Sequence, residues 1–154
     1  MKRITLAAVT IAALAAAAAP APAAIIEGSD PNATATFQGQ IRVDGDQATL
    51  RVKYRCAEGQ FLWVSAKQVA SGKKDARLTA EGSSQISSAW WQSHRNAFTC
   101  NGRWQTGTFT IDKVEPGSKG TLKKGHDWVQ FCVTKESEGP EGLILSASQF
   151  VHVK

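Results

Sequence analysis

The chain has 154 residues, 42% of them hydrophobic, and its 18 basic and 13 acidic residues give a net charge of +5. This length is ordinary for one domain and suffices to bury a core without help from metal ions. The positive charge is mild and does not by itself indicate a protein that binds nucleic acid.

The first 24 residues are typical of a secretory signal peptide. Lys2 and Arg3 precede the apolar run ITLAAVTIAALAAAAA, and prolines with small residues follow up to Ala24. A basic start, an apolar core and an alanine-rich end are the three regions of an export signal. A retained membrane anchor is the alternative, but the run is short and ends in prolines. We therefore expect a secreted protein, extracellular or associated with the cell wall, without stable membrane insertion after cleavage.

The rest of the chain divides into a short lead-in and one domain. Residues 25–32 contain glycine, proline and asparagine, which predicts an extended segment. From residue 33 to residue 154, apolar residues recur at the period of a β-strand and nowhere at the spacing of a helix. We therefore predict a single all-β domain over residues 33–154.

The most regular stretch lies at Gln47–Cys56, with the sequence QATLRVKYRC. Apolar and basic residues alternate along it, so that one face of the strand is apolar and the other is basic. A strand over residues 33–43 precedes it through the hairpin signal DGD at residues 44–46. Phe61–Val69 follows after a turn, and we predict that it pairs with Gln47–Cys56 as the central hairpin of the domain.

The middle of the chain is less regular. Residues 71–88 are polar and predict a flexible region, in which Arg77–Ala80 is a candidate edge strand. The dipeptide Asn101-Gly102 favours a two-residue type I′ turn between two strands. The strand that follows this turn is predicted over Trp104–Val114.

Two more strands complete the prediction. Asp127–Thr134 is a nearly continuous apolar run, as expected of a strand that is covered on both faces. A turn at Gly139–Gly142 leads into the last strand, Leu143–Lys154. About seven short antiparallel strands with turns between them are typical of an immunoglobulin-like β-sandwich. A small closed barrel is the alternative.

Export makes a disulfide the expected state of two of the three cysteines. We predict a bond between Cys56, which ends a strand, and Cys100, which borders a tight turn. Cys132 lies in an apolar strand, where burial would keep its thiol unreactive. An inter-sheet Cys56–Cys132 bond of the immunoglobulin type is the alternative.

The segment Ser83–Phe98 is the first candidate binding surface. It is longer than the connection between two strands of a sandwich requires, and long loops in compact domains are usually functional or disordered. It contains the adjacent residues Trp90 and Trp91, of which a strand would turn one outward. His94 and Arg95 beside them add a hydrogen-bonding group and a charge. A loop that folds back and buries both indoles is the competing interpretation.

A second candidate surface is the basic face of the Gln47–Cys56 strand. Arg51, Lys53 and Arg55 lie about 7 Å apart along it, and Trp104 on a later strand is either core or exposed. A solvated face is the commoner reason for such a row, and the alternative is a site for anionic cell-wall polymers or nucleic acid. We do not expect nucleic acid as the partner, because the interleaved aromatic residues of a single-strand groove are missing there.

Motifs that would carry catalysis are missing from the sequence. No serine lies in a Gly-x-Ser-x-Gly elbow, and neither a His-Glu-x-x-His zinc motif nor a glycine-rich phosphate loop occurs. No Cys/His cluster offers a metal site. We therefore predict a non-catalytic binding or interaction module without metal or cofactor, whose partner is a protein or a glycan of the cell envelope. A small-molecule carrier is the first alternative and a small secreted hydrolase the second.

Two motifs carry a family resemblance, namely the strand end Tyr54-Arg55-Cys56 and the later turn Cys100-Asn101-Gly102. Both resemble a group of small exported actinomycete β-sandwich proteins of unknown function. The matching residues here are Gly39, Asp44, Gly45, Tyr54, Arg55, Cys56, Gln68, Cys100 and Gly102. This resemblance implies export and a sandwich, and it supplies no activity. The Gly139–Gly142 turn is similar to the last hairpin of the neocarzinostatin-like chromophore carriers, which implies the carrier alternative.

Overall fold

The computed structural model describes residues 24–135 and 142–154 of the chain. These residues form eight β-strands and two 3-10 turns, so the all-β class is confirmed. The predicted signal peptide lies outside the described residues except for Ala24, and so does most of the Gly139–Gly142 turn. No helix within the described ranges has the length and hydropathy that crossing a membrane would require. The strands are β1 (Ile25–Glu27), β2 (Thr34–Asp44), β3 (Gln47–Arg55), β4 (Phe61–Gln68), β5 (Ala89–Ser93), β6 (Gln105–Asp112), β7 (Gly125–Thr134) and β8 (Leu143–Val153).

Hydrogen bonds join these strands into one sheet that closes on itself. The order is β1-β8-β2-β3-β6-β5-β4-β7, and β7 pairs additionally with β8. Strands β2 to β8 therefore form a seven-strand barrel, and β1 pairs with the first half of β8. This is the pairing of the small closed barrel, our alternative, rather than that of two separate sheets. The physical reason is the long strand β8, which pairs with β7 at ten positions and reaches β2 at its end.

Two seams of this barrel are one residue pair wide. In the described residues, the backbone pairing of β5 with β6 is limited to Gln92 and Asp112, and that of β2 with β8 is limited to Ile41 and Val153. All other neighbouring strands of the barrel share at least five residue pairs. The barrel therefore has a three-strand side, made of β2, β3 and β6, and a four-strand side, made of β5, β4, β7 and β8. Each side has its own outer face.

The predicted central hairpin of β3 with β4 is wrong. Strand β3 pairs with β2 and β6, whereas β4 pairs with β5 and β7. Both edges of β3 are occupied. The tight turn after Asp44 returns the chain directly alongside β2 as an antiparallel partner, and β6 pairs with the other edge. Residues 56–60 instead carry the chain from the three-strand side to the four-strand side.

The core follows from the alternation of side chains along each strand. In β3, the even-numbered residues from Ala48 to Tyr54 are buried and the odd-numbered ones point outward, as predicted. The rings of Tyr54, Phe109 and Phe131 pack together inside the barrel, with centroids 5.1 to 5.8 Å apart. The Tyr54 hydroxyl also accepts a hydrogen bond from the amide of Thr99 at 3.1 Å. This bond ties the connection between β5 and β6 to the core.

The connection between β4 and β5 covers part of the outer face of the four-strand side. Leu78 is fully buried in a small cluster with Val69 and Trp128. The carboxylate of Asp75 accepts a hydrogen bond from the amide of Arg77 at 3.0 Å and so starts the 3-10 turn Ala76–Thr79. The edge strand predicted at Arg77–Ala80 is therefore wrong, because this capping bond favours a turn over an extended backbone.

The predicted disulfide between Cys56 and Cys100 is confirmed, with Cα atoms 4.8 Å apart. Cys132 is a buried free thiol, as predicted, so the alternative bond between Cys56 and Cys132 is wrong. Beside the disulfide, the amide of Gly102 donates a hydrogen bond to the carbonyl of Cys56 at 2.8 Å. The end of β3 is thus joined to the connection between β5 and β6 both covalently and by a backbone hydrogen bond.

The type I′ hairpin predicted at Asn101-Gly102 is wrong. A type I′ turn requires a positive φ at both central residues, and among the described residues positive φ angles occur at glycines alone. The side chain of Asn101 instead accepts a hydrogen bond from the amide of Arg103 at 3.0 Å. Such side-chain bonds stabilise an open turn, which leads into β6 at Gln105.

We expect one reactive thiol per chain when the protein is unfolded without a reducing agent, and none in the folded state. The reason is that Cys56 is bonded to Cys100, while Cys132 is buried. Thiol titration before and after addition of denaturant measures both numbers. Replacing Cys56 and Cys100 together by alanine should lower the free energy of unfolding by about 2–5 kcal/mol. Three thiols in the unfolded, unreduced protein would contradict the pairing.

Candidate functional site

The tryptophan pair lies on a strand rather than on a long loop. Ala89–Ser93 is strand β5, which pairs with β4 at five positions, so the predicted loop Ser83–Phe98 is wrong in its middle part. Trp91 points inward, is fully buried and donates a hydrogen bond from its indole N–H to the carbonyl of Gly120 at 3.2 Å. Trp90 points to the outer face and is half-buried. The strand therefore turns one indole outward, and the competing interpretation, in which a folded-back loop buries both, does not hold.

A groove of about 760 Å³ runs across the outer face of the four-strand side. Its walls include two half-buried indoles, those of Trp63 on β4 and Trp90 on β5, together with the exposed ring of Phe61. Amide and hydroxyl side chains also line it. The lining residues are Phe61, Leu62, Trp63, Glu81, Trp90, Gln92, His94, Pro116, Gln130, Cys132, Thr134, Leu143 and Ser146.

The indole of Trp63 is held in place by its neighbours. Its N–H donates a hydrogen bond to the side-chain carbonyl of Gln92 at 3.0 Å. The amide nitrogen of Gln92 in turn donates to the carbonyl of Pro116 at 2.6 Å. On one face of the indole the ring of His94 stacks at a centroid distance of 6.4 Å, with an angle of 17° between the planes. Trp63 points away from its buried neighbours Leu62 and Val64, so its indole lies on the outer face rather than in the core.

His94 and Arg95 lie at the end of β5, where both contact Glu115. His94 Nδ1 is 3.5 Å from one carboxylate oxygen of Glu115, and the guanidinium of Arg95 is 2.9 Å from the other. Arg95 also approaches the buried carboxylate of Asp112 at 3.7 Å. The charge of Arg95 is therefore neutralised within the protein, so its role here is to fix the edge of the groove beside His94.

The opposite wall of the groove is polar but carries little charge. The thiol of Cys132 donates a hydrogen bond to the hydroxyl of Ser146 at 3.5 Å, and burial raises the pKa of this thiol. The hydroxyl of Ser65 donates to the side chain of Gln130 at 3.5 Å. A protonated, buried thiol is a poor nucleophile. This wall therefore offers amide and hydroxyl groups rather than a reactive centre.

Other groups with shifted pKa values lie outside the groove lining. Burial lowers the pKa of Lys67, whose ammonium group donates a hydrogen bond to the hydroxyl of Ser83 at 3.0 Å. Burial raises the pKa of Asp127 to about 8, against a smaller opposing effect of Gln68. Burial, then the charges of Lys74 and His152, lower the pKa of His126. Within the described ranges, no three His, Cys, Asp or Glu side chains converge as metal ligands would.

The second predicted surface lies on the outer face of the three-strand side. Arg51 and Lys53 are exposed there, and Arg55 is half-exposed. Trp104 is 48% exposed, so it does not close the core. The ammonium group of Lys53 lies 4.8 Å from the centre of the indole ring of Trp104, and the guanidinium of Arg55 lies 5.4 Å from it. An aromatic ring is thus present among these basic residues, contrary to our expectation.

The eight candidate binding residues are therefore divided between two regions and the core. Trp90 and His94 line the groove, whereas Arg95 contacts Glu115 at its edge. Arg51, Lys53, Arg55 and Trp104 lie together on the other side, and Trp91 is buried in the core.

Sequence reasoning missed Phe61, Trp63, Gln92 and Gln130 as groove residues. For Phe61 and Trp63, the sequence pattern that could have revealed them is the alternation within β4, which places both on the face opposite Leu62.

No protein-family model matches the chain, and no curated protein matches it. Among solved structures, the crystal structure of the C-terminal domain of wzt is similar to it, with 12% sequence identity and a TM-score of 0.41. The match covers 86% of this chain and 79% of that one. A likeness at this TM-score carries no argument about function. The resemblance to small exported actinomycete proteins stays a prediction.

We expect the two adjacent tryptophans to differ in their contribution to stability. Trp91→Ala should lower the free energy of unfolding by about 3–5 kcal/mol, because it removes a fully buried indole. Trp90→Ala should lower it by less, because Trp90 lies on the outer face and is only partly buried. Denaturant unfolding of both variants, with Trp104→Ala as an exposed control, measures the difference. Equal losses for Trp90→Ala and Trp91→Ala would contradict the assignment of their faces.

Proposed function

We propose that this protein is a non-catalytic binding module that takes a neutral oligosaccharide in the groove between Trp63 and Trp90. The observation that carries the proposal is the combination of two half-buried indoles with amide and hydroxyl groups in one groove. Sugar rings have apolar faces, which stack on indoles, and hydroxyl edges, which bind amides and hydroxyls. Such a ligand would use the apolar body of each tryptophan and the polar groups of the lining.

The size and rigidity of the groove support this proposal. Its volume of about 760 Å³ falls within the range of small-molecule sites. Trp63 is fixed by Gln92 and His94 before any ligand arrives. A side chain that is already ordered loses little entropy on binding, which favours affinity. Placement on paired strands rather than on loops also keeps the two indoles at a constant separation.

The chemistry of the lining favours binding over glycoside hydrolysis. Glycosidases commonly use two carboxyl groups that flank the scissile bond. Among the described lining residues, Glu81 alone carries a carboxylate. The neighbouring acid Glu115 is engaged with His94 and Arg95.

A carrier of an apolar molecule, our earlier alternative, would use a cleft closed mainly by apolar side chains. In this groove the exposed lining is more apolar than polar, and Gln92, Gln130 and Ser146 add hydrogen-bonding groups that a carrier of purely apolar molecules would not need.

We also propose that the protein is secreted and that its barrel is a flattened immunoglobulin-type sandwich. Disulfides persist in oxidising compartments outside the cytosol, and Cys56 is bonded to Cys100. The three-strand and four-strand sides meet through single residue pairs at two seams. This is the pattern that a two-sheet sandwich would give if its sheets touched at both edges.

The proposal is tested by titrating the protein with maltohexaose, cellohexaose and chitohexaose and following the intrinsic fluorescence of tryptophan. We expect at least one of these sugars to bind. Trp63→Ala and Trp90→Ala should each weaken that binding by about tenfold or more, since an indole at a well-packed contact contributes about 2 kcal/mol. Trp104→Ala, a tryptophan outside the groove, should leave the affinity unchanged.

Two outcomes would overturn the proposal. One is an equal loss of affinity for Trp104→Ala and Trp90→Ala, which would place the sugar elsewhere. The other is binding of an apolar dye such as anilinonaphthalene sulfonate in the groove with no binding of any of the three sugars, which would favour the carrier. Thermal unfolding of each variant separates a lost contact from a lost fold.

A further inference from the structure

The outer face of the three-strand side carries a separate cluster of cations, which we name the basic face. It consists of Arg42, Arg51, Lys53 and Arg55 with the indole of Trp104. We propose that the basic face binds an acidic polysaccharide, a glycan chain with regularly spaced sulfate, phosphate or carboxylate groups. This site is independent of the groove between Trp63 and Trp90, because it lies on the other side of the barrel.

The spacing of the cations suits a linear polymer. Arg51, Lys53 and Arg55 occupy alternate positions of β3, so their Cα atoms are about 7 Å apart. The strand β3 lies between β2 and β6. On the β2 side, Thr36 pairs with Lys53 and Thr34 pairs with Arg55. A single row of charges with polar neighbours resembles the repeat of an extended chain more than the compact shape of one small anion.

Hydroxyl groups continue this pattern on the other neighbour. In β6, Thr108 pairs with Arg51 and Thr106 pairs with Lys53. Each central cation is therefore flanked by uncharged side chains that donate and accept hydrogen bonds. Such groups are suited to the sugar hydroxyls that lie between the charged groups of a glycan.

The cations of the basic face have no carboxylate partners within the described part of the chain. Of the acids in strands β2, β3 and β6, Asp44 ends β2 and Asp112 ends β6. Elsewhere the pattern differs, since Arg95 pairs with Glu115 and Lys113 pairs with Asp46. A row of like charges without internal counter-ions produces a positive potential, which attracts polyanions.

The backbone of β2 opens a groove beside this row. The register between β2 and β3 shifts between Gln38 and Arg42, and Gly39 has a φ of +80° there, with no heavy atom within 4 Å of the position where a Cβ would lie. Bulges of this kind bend a strand away from its partner. The groove that results has a volume of about 750 Å³, and Arg42, Arg51 and Thr108 contribute to its lining. A polymer chain can therefore lie in this groove against Arg42 and Arg51 and continue over Lys53 and Arg55, which lie outside the groove on the same face.

Trp104 distinguishes a glycan from a nucleic acid as the occupant. It lies at the Arg55 end of the row and remains 48% exposed, with Lys53 and Arg55 against its ring. One exposed indole suits stacking against a single sugar ring. Proteins that bind single-stranded nucleic acid instead use several aromatic side chains, on which successive bases stack.

The test measures binding to dextran sulfate, with neutral dextran as the matched probe without charge. We expect binding to dextran sulfate alone, with an affinity that falls as sodium chloride rises from about 50 to about 200 mM, because counter-ions are released on binding. The double variant Arg51→Gln/Lys53→Gln should bind about tenfold or more weakly. The control Lys73→Gln/Lys74→Gln removes the same charge from exposed lysines elsewhere and should bind within about twofold of the unchanged protein.

Three outcomes would overturn this proposal. Equal losses for the two double variants would show that net charge, rather than the basic face, decides binding. Equal affinity for oligothymidylate would show that any polyanion is accepted and that the sugar contacts contribute nothing. Loss of dextran sulfate binding in Trp90→Ala, with its thermal unfolding unchanged, would place the polymer in the other groove. Thermal unfolding of the Arg51→Gln/Lys53→Gln variant establishes whether its fold is intact. The variant Trp104→Ala tests the stacking contact on its own.

Discussion

The antiparallel pairing between β7 and β8 is the interaction on which the rest of the structure depends. It spans ten residue pairs, and β7 also pairs with β4 at seven positions. Strand β7 is therefore bonded along both edges, with Val129, Phe131 and Val133 buried in the core. The outward residues of the same strand, Gln130 and Cys132, form one wall of the groove. Closure of the barrel and the shape of the candidate site thus follow from one strand.

The two outer faces differ in chemistry because different strands supply them. The four-strand side presents aromatic rings and neutral polar groups, and the indole of Trp63 there is fixed by Gln92. The three-strand side presents cations, threonines and the indole of Trp104. The first face suits a ligand that is recognised by stacking and hydrogen bonds, and the second suits one recognised by charge. The two proposals together predict that two glycans of different charge bind at once.

Local patterns in the sequence predicted much of this fold. The alternation from Ala48 to Tyr54 predicted the buried face of β3 correctly, and the positions of Cys56 and Cys100 predicted the disulfide. Choices between partners depend on residues far apart in the chain, so the pairing of β3 with β6 and the closure by β8 could not be derived locally. Strand β5 has five residues inside a polar region, and its strand conformation depends on the edge that β4 provides. For the same reason, the contact of Trp104 with Lys53 could not be foreseen.

The most direct test of two separate faces is the nuclear magnetic resonance spectrum of the five tryptophan indole N–H groups. Single replacements by phenylalanine assign each signal. Addition of the neutral oligosaccharide that binds should shift the signals of Trp63 and Trp90, and addition of dextran sulfate should shift that of Trp104. The buried Trp91 should respond to neither ligand. Shifts of the same indole signals by both ligands would contradict the account.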